Sequence, residues 1–203
     1  MLKLAGEFTE GQLADHMAEL DAHTYSWMQK LKTGEYFLPV PYETVFTFAL
    51  TADRIVAVPF VVARSMTIDR LAIEVTAAAV ADKVARLGIY NDGTNLYPGS
   101  LVKDYGTVTV DSTGIKVAAG DQALTKGIYW LVIVSDGAPT VRAYIPTWSI
   151  LGQPATVFDR NNTNGNWYKA GVGSGALADP FVSGATLYTY YQPSILPRLK
   201  SLD

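Results

Sequence analysis

Between Lys126 and Asp136 the chain runs Lys-Gly-Ile-Tyr-Trp-Leu-Val-Ile-Val-Ser-Asp, with seven apolar or aromatic residues in succession from Ile128 to Val134. The run is rich in β-branched types and bounded by Gly127 and Asp136, which favours a buried strand over a helix. With period two, Ile128, Trp130, Val132 and Val134 share one face and Tyr129, Leu131 and Ile133 the other. Both faces are apolar. The strand therefore belongs in the middle of a sheet, with a second sheet over one face and a loop, a helix or another subunit over the other.

The same texture recurs at 45–50, 55–63, 65–75, 83–90, 107–110, 114–117, 141–145 and 185–191. Turn signals separate these stretches: Ala52-Asp53, Asn91-Asp92-Gly93, Pro98-Gly99, Ser112-Thr113-Gly114, Ala119-Gly120-Asp121 and Asp136-Gly137-Ala138-Pro139. Alternation through Met66, Ile68, Leu71, Ile73 and Val75 slips once, at Asp69-Arg70, which predicts a bulge. Short strands at this spacing predict a mainly β fold over 44–203, an antiparallel, jelly-roll-like β-sandwich. The alanine-rich stretch 76–82 is too short to change that class.

Before the strands the period changes. Thr9 and Gln12 have the spacing of a capping box. Leu13, Met17, Leu20, Thr24, Trp27 and Leu31 then step by 4, 3, 4, 3 and 4, a heptad seam that Gly34 ends. This predicts one N-terminal amphipathic α-helix within 1–34, marginal alone. It either lies on its own domain or bundles with copies from other chains. His16 and His23 fall on its flank seven residues apart, with Asp21 on the other flank; that is not the i,i+4 spacing of a metal pair, and solvated flank residues are the simpler reading. Pro39 and Pro41 mark 35–43 as a linker.

With 203 residues, 49% hydrophobic and 17% charged, the chain is long enough for one large packed domain plus an appendage. A net charge of -3 leaves no basic surface of the kind nucleic acid requires. The absence of Cys removes disulfides, thiolate metal sites and Cys nucleophiles together. No apolar run reaches membrane-spanning length and the first residues lack a signal-peptide core, so a soluble protein without membrane insertion is expected.

Catalysis is poorly provided for. Both histidines lie on the expected helix, so no Ser/His/Asp set assembles within the sandwich. Gly171-Val-Gly-Ser-Gly175 lacks the Lys-Ser/Thr of a phosphate loop and is expected to be a flexible loop. Asp53, Asp92, Asp104, Asp111, Asp121, Asp136, Asp159 and Asp179 are explained by turn chemistry, and no pair stands out as a glycosidase couple. The expectation is no enzyme, no catalytic residue, no metal and no cofactor. The most suggestive stretch is 159–168, Asp-Arg-Asn-Asn-Thr-Asn-Gly-Asn-Trp-Tyr. Asp159, Asn162, Asn164 and Asn166 could read sugar hydroxyls while Trp167 or Tyr168 stacks on a pyranose face. The plainer alternative is a polar loop whose aromatics fold back beneath it.

Several stretches resemble virion proteins of tailed bacteriophages, of the tail-fibre or minor-tail, receptor-binding type. They are Glu19-Leu-Asp-Ala-His-Thr24, Thr33-Gly-Glu-Tyr-Phe37, Arg54-Ile-Val-Ala-Val-Pro-Phe60, Thr67-Ile-Asp-Arg-Leu-Ala-Ile-Glu-Val75, Arg86-Leu-Gly-Ile-Tyr90, Tyr97-Pro-Gly-Ser-Leu101, Lys126-Gly-Ile-Tyr-Trp130, Gly173-Ser-Gly-Ala-Leu177 and Leu196-Pro-Arg-Leu199. The resemblance implies a non-enzymatic structural protein made in the host cytoplasm and built into the virion, on the tail rather than the capsid. It implies a symmetric homo-oligomer, a trimer in fibres, with a helical neck and β-sandwich heads that touch other virion proteins and host-surface glycan. The expected oligomerisation residues are then the seam positions Leu13, Met17, Leu20, Thr24, Trp27 and Leu31. The alternatives are a capsid-decorating head fibre, a free-standing carbohydrate-binding module and a small glycan depolymerase.

Overall fold

The computed structural model describes residues 31–38, 42–146, 150–152, 164–189 and 191–202. Its strands are β1 (Tyr42–Ala49), β2 (Arg54–Val62), β3 (Met66–Ala77), β4 (Val84–Asp92), β5 (Pro98–Thr109) and β6 (Gly114–Leu124). After them come β7 (Gly127–Ser135), β8 (Thr140–Pro146), β9 (Asn164–Ala170), β10 (Thr186–Thr189), β11 (Gln192–Pro193) and β12 (Leu196–Leu202). The chain divides into two compact units, Met1–Lys32 and Thr33–Asp203, and every strand among the described residues lies in the second.

The strands form two sheets, and every pairing among the described residues is antiparallel. In one, the order is β10-β9-β2-β7-β4-β5, so the apolar run at 128–134 sits between two neighbours in mid-sheet. One face of that sheet carries Leu131, Ile133, Val56, Val58, Phe60, Leu87 and Ile89, all buried. The other sheet offers Ile68, Leu71, Ile73, Val75, Val141 and Leu199, also buried, and this pair of apolar faces makes the sandwich-like core.

The opposite face of β7 is apolar as well, and a loop covers it. Residues 171–185 lie as a strap over Ile55, Ala57, Tyr90, Trp130, Val132 and Val134, with Leu177 and Phe181 packed into that cluster. The strap is anchored through polar groups: the Tyr90 hydroxyl donates to the Ala178 carbonyl at 2.6 Å, Phe181 N–H to Gly99 at 2.9 Å, and Leu101 N–H to the Asp179 carboxylate at 2.9 Å. The glycine-rich stretch 171–175, expected to be a flexible loop, is the first part of this strap. Val172 N–H donates to Asp53 at 2.9 Å and Arg86 Nε to the Ser174 carbonyl at 3.1 Å, which ties it down.

In the other sheet β3 is central. It pairs with β6 along one side, and along the other first with β8, at Val75 and Ala77, and then with β12. Strands β3 and β8 therefore splay, and the chain's last strands fill the fork: Gln192 and Pro193 pair with β8, Leu196 to Leu202 with β3. The outer edge of β12 is taken by residues 34–37. Gly34 N–H reaches Leu199 O at 2.8 Å, Leu199 N–H reaches Glu35 O at 3.1 Å and Phe37 N–H reaches Pro197 O at 3.1 Å. The expected 35–43 linker is thus largely part of the sheet, with Phe37 packed 5.9 Å from Phe60 and β1 starting at Tyr42.

The bulge lies where the alternation slips. Register shifts between Ile68 and Arg70 against both β6 and β12, so Asp69 and Arg70 are both partly exposed between buried Ile68 and Leu71. No helix occurs among the described residues, and the helix expected within 1–34 lies outside them up to residue 30. Leu31 and Lys32 are not helical, and Gly34 has φ 84°, in the region glycine favours.

Candidate functional site

The structure describes the expected sugar-reading stretch from Asn164 onward, and there it is a strand. Asp159 and Asn162 lie outside the described residues, and Asn164 begins β9. Asn166 is fully buried and its amide donates to the Tyr191 carbonyl at 2.7 Å. Trp167, on the opposite face, gives its indole N–H to the Leu96 carbonyl at 2.7 Å and stands edge-on to Tyr97 at 4.9 Å. Tyr168 is partly buried between Arg54, whose guanidinium lies 5.0 Å above its ring, and Tyr188 at 5.7 Å. Asn166 and Trp167 are therefore turned into the molecule, because β9 is paired on both sides, by β2 and β10, and must alternate its side chains.

Of the expected seam, Leu13, Met17, Leu20, Thr24 and Trp27 lie outside the described residues, as do His16, Asp21 and His23. Leu31 is partly buried.

A second place is built where β3 and β8 part. The fork leaves a groove of about 420 Å³, lined by Tyr36, Leu38, Val45, Tyr144 and Leu196, with Glu74 and Arg142 as its charged side chains. The residues come together through register. Val45 faces Tyr144 across the β1–β8 ladder, Leu196 faces Ala72 across β12–β3, and Glu74 is two positions from Ala72 on the same face. Tyr36 and Leu38 arrive on the segment zipped to β12, whose intervening Phe37 points into the core. Val45 is 49% and Leu38 37% exposed, whereas Tyr144 is buried.

Arg142 and Glu74 form a planar two-bond pair, Nε to Oε2 at 2.9 Å and the second guanidinium nitrogen to Oε1 at 2.6 Å. The Arg142 hydrogen bond holds the Glu74 carboxyl below its ordinary value. Further along β3 Arg198 grips Asp69 through both carboxylate oxygens, and this contact, more than the opposing burial, holds Asp69 low in the same sense. Burial pushes the phenols of Tyr90, Tyr105 and Tyr144 up, so they are neutral at physiological pH. Asp104 lies within β5, where its carboxylate caps the local Gly106 N–H at 2.8 Å and also takes two bonds from Arg86 at 3.0 and 2.9 Å and one from the Leu177 N–H at 3.2 Å.

Chemically the groove offers apolar walls beside one neutralised set of donors and acceptors, which suits recognition. Among the described residues no three His, Asp or Glu side chains gather as a metal site. The sequence carried one signal for the groove: Glu74 and Arg142 are charges of opposite sign, each set between apolar neighbours, in Ile73-Glu-Val75 and Val141-Arg-Ala143. No protein-family model matches the chain, and no curated protein matches it in sequence.

Proposed function

We propose that this chain is a non-enzymatic structural protein of a tailed-phage virion, carried on the tail. In this reading the amphipathic helix expected within 1–34, ending before Leu31, joins copies into a symmetric oligomer, a trimer, and the second unit is a jelly-roll-like head that meets host-surface glycan. The observation that carries the reading is the division of the chain at Lys32, with a self-contained two-sheet head after it. The heptad seam before that boundary and the quoted similarities to tail-fibre proteins support it.

The test is microscopy of whole particles labelled with an antibody to this chain. Label on the tail supports the reading, label on the capsid makes it a head fibre, and particles without label overturn it. Light scattering of the purified chain checks the oligomer. A monomer at micromolar concentration points to a free-standing carbohydrate-binding module instead. Leu20→Asp, which would bury a charge in the seam, is expected to dissociate the assembly and leave the sandwich folded. An unchanged assembly would mean that the seam does not hold it.

A further inference from the structure

The groove at the β3–β8 fork combines three features that point to one ligand chemistry. Its walls are apolar and open: Leu38, Val45, Leu196 and the partly exposed ring of Tyr36 present flat hydrocarbon to the solvent. Its polar edge is the Arg142–Glu74 pair, 38% and 41% exposed. Only two of the five guanidinium N–H groups go to Glu74, and each carboxylate oxygen keeps a second lone pair. The third feature is charge. Guanidinium and carboxylate cancel within one planar unit, so an anionic ligand meets Glu74 and a cationic one meets Arg142, each at a cost.

A ligand that fits must hydrogen-bond to a donor and an acceptor side by side, carry no net charge and offer C–H faces to apolar walls. Vicinal hydroxyls on a pyranose meet all three conditions, since each hydroxyl both donates and accepts. The volume of about 420 Å³ is at the small end of the range for ligand sites. We propose that this groove is a saccharide-binding site specific for neutral pyranoses, with Arg142 and Glu74 reading adjacent hydroxyls and the ring lying against Tyr36, Val45 and Leu196. It deepens the attachment reading above, from which it takes its ligand class, and it places a glycan contact on a different sheet from β9. Binding at one such groove is weak, and an oligomer raises it through high effective concentration.

The test is a titration of the full-length, isotope-labelled chain with methyl glucoside, methyl galactoside and N-acetylglucosamine, with glucuronate and glucosamine as charged counterparts. The Arg142 Nε–H resonance is the readout. At least one neutral probe is expected to shift it saturably, while the charged counterpart of the same ring binds about tenfold more weakly or worse. Val45→Trp fills the groove from an exposed position, leaves both members of the ion pair in the chain and should weaken binding at least about tenfold. Glu74→Gln keeps an acceptor oxygen but leaves Arg142 uncompensated, and it should turn the preference toward glucuronate.

The proposal is overturned if no neutral probe moves the Arg142 signal, if glucuronate binds the unaltered chain more tightly than the neutral sugars, or if folded Val45→Trp binds as before. Should Val45→Trp not fold, the glucuronate switch of Glu74→Gln decides. Particle labelling reads the virion assignment separately. Labelled tails with a silent groove sink this proposal alone, and a responsive groove without labelled particles sinks the virion assignment alone.

Discussion

Asn166 and Gln192 hold each other's strands. The Asn166 amide donates to the carbonyl of Tyr191, the residue before Gln192, at 2.7 Å, and the Gln192 amide donates to the carbonyl of Gly165, the residue before Asn166. Strand β9 belongs to one sheet and β11 to the other, so this reciprocal clasp joins the two sheets near the end of the chain. Both side chains are fully buried, and Gly165 lets Gln192 in, since a Cβ there would lie 3.1 Å from the glutamine Cγ.

The clasp makes the first prediction. Asn166→Ala removes a hydrogen bond from the part-buried Tyr191 carbonyl and Gln192→Ala one from the buried Gly165 carbonyl, and each should cost about 1–3 kcal/mol in urea unfolding. Because the two bonds hold the same pair of strands, the double variant should lose clearly less than the sum of the single losses. Strict additivity would mean that the two bonds act independently and that the sheets are joined elsewhere.

A second prediction concerns the strap. A Cβ built on Gly88 falls 2.2 Å from Leu177 Cδ1 and 3.0 Å from the Lys103 carbonyl oxygen, so at this position β4 has no room for a side chain beneath the strap. Gly88→Ala should therefore destabilise by about 1–3 kcal/mol, the usual range for overpacking. Adding Leu177→Ala removes the closest clash and should recover part of that loss, although Leu177→Ala alone destabilises. If the pair is additive in unfolding experiments, Leu177 is not what Gly88 accommodates.

The ion pairs set the response to acid. Arg198 keeps the Asp69 carboxyl below its ordinary value in the folded chain, so the pair's stabilisation is fully present above about pH 4 and is lost as pH falls through the depressed value. Asp69→Asn should accordingly be less stable than the unaltered chain at neutral pH, and the gap should close under acid. Denaturant midpoints at a series of pH values check this; a gap that persists unchanged in strong acid would assign the loss to packing. The Glu74–Arg142 pair has the same sign, but at 41% and 38% exposure it should fade as salt is raised.

How much of this was legible depends on whether a residue's role left a periodic trace. β7 did: a strand apolar on both faces needs cover on both, and it has a sheet on one side and the strap on the other. The Asp69-Arg70 bulge did too, as a single slip in a clean alternation. The strap did not, because its anchors Leu177 and Phe181 are set four residues apart in a short stretch broken by Gly, Ser, Asp and Pro, where no period forms. β12, Leu-Pro-Arg-Leu-Lys-Ser-Leu, reads as polar and proline-broken, yet Pro197 and Leu199 face inward and its charges find partners across the sheet. The groove left no trace beyond the Glu74 and Arg142 charges, for another reason: its lining comes from segments 36–38, 45, 74, 142–144 and 194–196, which only the splay of β3 and β8 brings together.

Trp167 is where sequence and structure pull furthest apart, and it gives the last prediction. As a displayed stacking platform, Trp167→Ala would abolish attachment and leave the fold untouched. In the structure its ring packs on Tyr97 and against the cluster under the strap, and its N–H satisfies the Leu96 carbonyl, in a turn where Asn95 and Leu96 both have positive φ. Trp167→Ala should therefore lower stability by about 2–4 kcal/mol, somewhat below the loss for a fully buried Trp because this ring is only partly buried. Trp167→Phe keeps an aromatic face but drops the hydrogen bond, and should cost about 1 kcal/mol. Thermal melts of the two variants separate the roles. A graded loss, Ala well beyond Phe, identifies a packing residue that braces the 95–97 turn. Unchanged melts for both, together with lost attachment to host cells, would return Trp167 to the surface as the sugar-stacking residue.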